Sequence, residues 1–313
     1  MPAIRFLCLP SPSAASTASA GGGSATTSGQ LPPNLSTKPT APTLLKLTTP
    51  QAPPHHLLLP ADLPSDVKEK ILSLEIIGVD SARAVFLNPN LRSASPESVH
   101  SVISFLLSKG IHHKDLPRIL GMCPKILTSN ISGELKPVFS FLSGDLHVPS
   151  SHFRRVVNKC PRLLVSSVRD QLRPALLYLR RLGFKDTFAL AYNDPILLVS
   201  SVEKTIIPKL EFLTAIGFSR EEAAAMVLRC PGLLTFSIEN NFKPKYEYFA
   251  KVMGGRLEEL KEFPQYFAFS LEKRIKPRNM EMVKEAQRKL PLPLMLKTTD
   301  EEFRDLMMKR RKR

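Results

Sequence analysis

Tryptophan is absent, cysteine occurs four times and glycine 14 times in 313 residues. Four thiols are too few to staple a chain of this length, which excludes a disulfide scaffold. So little glycine excludes collagen-like and glycine-linker readings. No apolar run reaches the roughly 18 residues that a membrane-crossing helix needs, so no membrane is expected among the partners. The short motifs of catalysis and cofactor binding are missing as well: there is no Walker A loop, GxGxxG, GxSxG elbow, HExxH or CxxC. Neither an enzyme nor a cofactor is expected.

Acid is missing from one region altogether. Up to Ala61 there is no Asp or Glu, and only Arg5, Lys38 and Lys46 are basic. Ser, Thr, Ala, Gly and Pro dominate, too little apolar surface to offset chain entropy, so order is not expected there. An acid-free, hydroxyl-rich start has the composition of an organelle transit peptide. It is poor in Arg and rich in Pro, which favours a plastid (chloroplast) over the alternative, a mitochondrion. Residues 1–61 are therefore read as a leader, 62–296 as the folded domain and 297–313 as a basic tail.

Proline, by contrast, is abundant, and beyond residue 64 it is ordered. Pro124, Pro161, Pro195, Pro231 and Pro264 are 37, 34, 36 and 33 residues apart. Thirteen residues after each stands a second: Pro137, Pro174, Pro208, Pro244 and Pro277. Apolar pairs follow each first proline: Ile126-Leu127, Leu163-Leu164, Leu197-Leu198, Leu233-Leu234 and Tyr266-Phe267. A period in the 20–50 range marks a solenoid or array.

One unit shows the physics. Ile206, Ile207, Leu210, Leu213 and Ala215 form a helical stripe. Gly217 stands where a left-handed residue ends a helix. Ser219, with Glu222 three residues on, forms a capping box that opens the next helix, which Pro231 stops. Ser237 caps the helix after that. Each unit is thus a helix pair with a short connector, unable to bury its stripe alone and able to when stacked. A poorer copy runs from Pro64 through Gly78 to Pro89, with Val102 in place of the second proline. The predicted fold is an all-α helical-repeat solenoid. Spacing leaves open whether the second proline sits in the first turn of its helix or further inside.

The recurrent CPKILTSNISGELKPVFSFL, CPRLLVSSVRDQLRPALLYL, DPILLVSSVEKTIIPKLEFL and CPGLLTFSIENNFKPKYEYF resemble motifs of the mTERF family, the mitochondrial transcription termination factor-like proteins. The resemblance covers roughly residues 64–290. It implies a superhelix of helix pairs with short 3₁₀ connectors, binding nucleic acid along a basic groove and acting in organelle gene expression.

Formal charge is +16, with a pI near 9.8. Residues 62–122 are neutral, with seven cations and seven anions, whereas residues 270–313 hold 14 against 7. Affinity for phosphates is therefore expected in the middle and C-terminal units. Cations flank the second proline in every copy: Lys136, Arg173, Lys209, Lys243 with Lys245, and Lys276 with Arg278. A cation near a helix start opposes the macrodipole, and a phosphate bound there supplies a reason for it. Lys273 and the doublets Arg154-Arg155 and Arg180-Arg181 complete the candidate set. Solvated surface charge is the bland alternative for all of them.

Cys123, Cys160 and Cys230 each precede a repeat proline, and their spacing matches no zinc pattern, so buried packing is expected and no metal. Phe141, Tyr178, Phe212, Tyr248, Tyr266 and Phe267 hold repeat-equivalent positions and are read as core. Lys309 to Arg313 is read as a flexible basic arm. The expected partners are double-stranded DNA and/or RNA, together with organellar transcription or RNA-processing proteins, for a monomer acting in plastid transcription termination or transcript processing. An RNA splicing or ribosome-assembly factor and a protein-interaction scaffold are the rival readings.

Overall fold

The structure, a computed structural model, describes residues 64–284 and 290–311. The expected leader, 1–61, lies outside the described residues, as do Lys312 and Arg313. All regular elements among the described residues are helical. In chain order the α-helices are α1 (Ser65–Ile77), α2 (Ser81–Leu87), α3 (Pro96–Ser108), α4 (Leu116–Met122) and α5 (Lys136–Gly144). Next come α6 (Ser150–Lys159), α7 (Arg173–Leu182), α8 (Thr187–Asn193), α9 (Ile207–Ala215) and α10 (Arg220–Arg229). The last are α11 (Lys243–Glu247), α12 (Leu257–Glu262), α13 (Lys276–Lys284), α14 (Leu292–Lys297) and α15 (Asp300–Arg311). Short 3₁₀ connectors at Pro89–Arg92, Pro124–Thr128, Pro161–Val165, Pro195–Leu197, Pro231–Thr235 and Pro264–Ala268 follow α2, α4, α6, α8, α10 and α12, and each unit of the structure runs from the helix before a connector to the helix after it. The fold is the all-α helical-repeat solenoid that the proline spacing requires.

The first proline of each unit sets the connector. A residue before proline is barred from α geometry, and Cys123, Cys160, Asp194, Cys230 and Phe263 all lie at φ between −142° and −129°. Each turns its carbonyl to accept from the N–H three residues on, at 3.0–3.2 Å. The apolar pair that follows is driven into the core, where all ten side chains are buried. Each is worth about 2 kcal/mol relative to exposure. Cys123 and Cys160 are buried as expected, while Cys230 is only half-buried.

The second proline lies well inside its helix. Asn130, Ser167, Ser201, Ser237 and Ser270, seven residues before each, cap the helix by accepting from the N–H three residues on, at 2.8–3.1 Å. The turn after each cap is a π-turn: Ile131–Leu135, Val168–Leu172, Val202–Ile206, Ile238–Phe242 and Leu271–Ile275. A proline there has no N–H to donate, and its ring crowds the carbonyl four residues back; a wider turn relieves both. The poorer copy acts as an internal control. Ser95 caps α3 seven residues before Val102, and α3 is plain α-helix throughout.

Gly217 adopts φ +116°, with Phe218 N–H donating to Leu213 O at 3.2 Å, and Ser219 and Glu222 form their capping box. A side chain at Gly217 would also strike Leu257 Cδ1 of α12, at 2.8 Å. Phe141, Tyr266 and Phe267 are buried, and Tyr178, Phe212 and Tyr248 are half-buried against the same core. The expected tail is mostly folded: α15 runs to Arg311, and Phe303 and Met307 are buried.

Candidate nucleic-acid interface

Successive connectors pack on one another: Pro124–Thr128 on Pro161–Val165, Pro195–Leu197 on Pro231–Thr235, and that one on Pro264–Ala268. In the first units the capped helix starts at Asn130–Leu135 and Ser167–Leu172 meet the connectors at one edge. A groove of about 880 Å³ opens there across the first units, lined by Asn88, Lys125, Thr128, Glu134, Asp145, Ser166, Arg169 and Arg173 among others. Three cations, hydroxyls and an amide against two carboxylates make a polar, net basic wall. Asn88 is itself buried, its Nδ2 donating to Pro124 O and Thr128 Oγ1 at 3.0 Å each.

The candidate cations divide sharply. Lys136, Arg173, Arg180, Arg181, Lys243 and Lys273 are exposed. Arg173 reaches Asp145 at 3.3 Å, and Arg180 donates to the Asp145 carbonyl at 3.2 Å. Lys243 pairs with Glu239, and half-buried Lys276 with Glu272, each at 2.5 Å one turn back. Such exposed pairs are weak and leave the cation available to a stronger anion. Of the first doublet, Arg154 is held by Asp115 at 2.5 Å, while Arg155 is exposed and lies over Tyr192. The Arg154 guanidinium holds the Asp115 carboxyl below the usual carboxylate range.

Lys209, Lys245 and Arg278 are buried, contrary to the expectation of phosphate contact. All three occupy the position just after the second proline and reach into the next unit. Lys209 Nζ donates to Leu234 O, Lys245 Nζ to Phe267 O at 2.5 Å, and Arg278 Nη1 to Met295 O at 2.7 Å and Thr298 O at 2.9 Å. Arg278 also pairs with Asp300 and lies over the Phe303 ring. Leu234 and Phe267 lie in 3₁₀ connectors near their C-terminal ends, where unsatisfied carbonyls attract a cation. Burial pulls the Lys245 amine down to about 8 and moves Lys209 in the same direction. Lys70 of α1 also links to carbonyls of another element, donating to Leu91 O, Arg92 O and Ala94 O at 2.6–3.1 Å. These cations stitch unit to unit. Just after the second proline, a recurring cation therefore answers a carbonyl rather than a phosphate.

Four cations outside the set expected from the sequence, Lys125, Arg162, Arg169 and Lys204, are exposed on the connectors or on the turns after the caps. Lys125 and Arg162 each directly follow a first proline, and that shared offset is the signal that finds them. His112 and His113 are exposed. Among the described residues no cluster of His, Cys, Asp or Glu is arranged to hold a metal, and no helix is long and apolar enough to cross a membrane.

Stacked helix pairs, proline-led 3₁₀ connectors and a basic connector edge define an all-α repeat protein of one architecture. The mTERF family profile matches residues 66–192 and 186–304, and the chain belongs to that family. Among curated proteins it is similar to three from Arabidopsis thaliana. It is 44% identical over 78 residues to transcription termination factor MTERF2, chloroplastic, a match spanning 25% of this chain and 12% of the relative. For transcription termination factor MTERF5, chloroplastic, identity is 38% over 90 residues, 29% and 18% of the two chains. For transcription termination factor MTERF4, chloroplastic, it is 35% over 89 residues, 28% and 16%. The matched segment is thus less than a fifth of each relative's length.

Proposed function

We propose that this protein is a nucleic-acid-binding factor of plastid gene expression that grips duplex DNA along its connector edge and acts in transcription termination or transcript processing. The observation that carries this reading is the set of exposed cations in the first turns of the helices that follow the connectors, Lys136, Arg169, Arg173, Lys204, Lys243 and Lys273, next to connectors that pack on one another. Capped starts carry the positive ends of helix dipoles, so side-chain and backbone charge act together on a phosphate. The family and the names of the chloroplastic relatives support the same reading, and the acid-free leader supports the plastid. Chemistry of this kind is positioning and electrostatics, and needs no catalytic group. Nearly all of the affinity would come from phosphate contacts, with sequence choice left to a few base contacts or to DNA shape.

The test is duplex affinity measured across a salt series. The logarithm of affinity should fall linearly with the logarithm of salt concentration, by roughly 0.9 per phosphate contact. Reversing Lys125, Arg169 and Lys204 to Glu should flatten that slope by about one contact each. Affinity indifferent to salt, or unchanged by all three reversals, would sink the reading. Immunoprecipitation from plastids with sequencing of the bound nucleic acid would then identify the locus.

A further inference from the structure

A second basin lies away from the connector groove and shares no residue with it. It holds about 540 Å³ and is lined by Arg118 of α4 and by Ser151, Arg154, Arg155, Asn158 and Lys159 of α6. Four cations face it and no carboxylate lines it. Asp115, beside it, is occupied by a two-point contact from Arg154, Nε to Oδ2 at 2.5 Å and Nη2 to Oδ1 at 3.3 Å.

Besides Arg154, two of the cations also serve the fold. Lys159 Nζ donates to the carbonyls of Tyr192 and Asn193 at 2.8 and 3.1 Å, closing the end of α8, and Arg118 donates to Asn158 O. Both remain exposed at the rim. Arg155 is different. Its guanidinium carbon lies 4.0 Å from the centre of the Tyr192 ring. Tyr192 is braced in turn by His152 and Phe188, with ring centres 5.3 and 5.4 Å away. A planar cation held against a braced ring, yet exposed, offers its outer face to a second flat group.

We propose that this basin takes one unpaired nucleotide, its phosphate drawn by Arg118, Arg155 and Lys159 and its base stacked on the outer face of the Arg155 guanidinium. The partner is single-stranded nucleic acid. A duplex keeps its bases stacked inside, so a stacking plane adds nothing to duplex binding, whereas a single strand can lay a base upon it. The proposal rests on the nucleic-acid reading above and adds a second, strand-selective contact to it. The basin lies between first helices of successive units, so one strand of a melted or transcribed region would meet it separately from a duplex on the connector edge.

Fluorescence anisotropy with the full chain tests it, using a labelled single-stranded oligonucleotide in RNA and DNA forms and a duplex of the same sequence. Arg155→Lys keeps the charge and loses the plane. It should weaken single-strand binding about tenfold, the usual scale of one stacked base, and leave duplex binding within about twofold. Tyr192→Phe keeps the supporting ring and should bind like the parent; Tyr192→Leu should repeat the Arg155→Lys loss. Thermal melts of each variant establish that the fold is intact. The loss seen with a strand of either sugar supports the proposal. Unchanged single-strand binding by Arg155→Lys, or equal losses for strand and duplex, overturns it and leaves duplex binding at the connector edge standing. A parent protein that binds neither form overturns both.

Discussion

Before the repeat prolines, Lys243 and Lys276 lie at the surface or half-buried, each paired with a glutamate one turn back. Two residues later, Lys245 and Arg278 are buried and bonded to carbonyls of the next unit. Two helical residues turn a side chain by roughly 200°, from the solvent edge to the seam between units. Cations of one composition therefore do two jobs: outside they set a field for phosphates, inside they replace a missing hydrogen-bond partner. The comparison also shows why bulk charge misleads, since part of it is consumed in holding the repeats together.

The largest effect should come from the seam. Arg278→Ala removes two carbonyl contacts, the Asp300 pair and the stack on Phe303, and should lower stability by about 3 kcal/mol in urea titration. A loss under about 1 kcal/mol would break the distinction between seam and edge. Lys245→Ala comes next, at about 2 kcal/mol, because Phe267 O is left buried and unpaired. Lys245 also gives a pH signature. Its folded value of about 8 lies below the ordinary lysine value near 10.4, so between the two the unfolded chain binds more protons. Stability should then rise as pH increases from about 8 to about 10, and Lys245→Met should remove that rise.

A smaller effect is expected at the π-turns. Pro174→Val restores an N–H, and the Val168–Leu172 turn should relax to the plain α form that α3 shows around Val102. Stability should change by less than about 1 kcal/mol, with a new protected amide in hydrogen exchange. The smallest stability change belongs to the edge. Lys243→Gln should cost less than about 0.5 kcal/mol, because its partner Glu239 is exposed. The same variant should still reduce the salt slope of DNA binding by about one contact, which the buried Lys245→Met should not.

Much of this architecture can be read directly from residues. The offset of thirteen between paired prolines, the left-handed Gly217 and the Ser219–Glu222 box are local features, and each forms as its chemistry demands. The candidate site was less legible. Lys209 reads like Lys243, and the difference lies in which carbonyl a neighbouring unit brings within reach. The π-turn adds to the difficulty. By closing its bonds five residues back, it shifts the rotational phase of everything after it relative to a count made from the cap. Arg154 and Arg155 are adjacent, yet one meets Asp115 of the preceding unit and the other Tyr192 of the following one.

By itself, then, the chain determined its helices, their caps, the connectors and the repeat, because these depend on residues within a turn or two of one another. Tertiary structure alone decided which cations face solvent and which close a seam. That choice depends on helix phase against a partner 17 to 25 residues away, and on whether a buried carbonyl there lacks a donor.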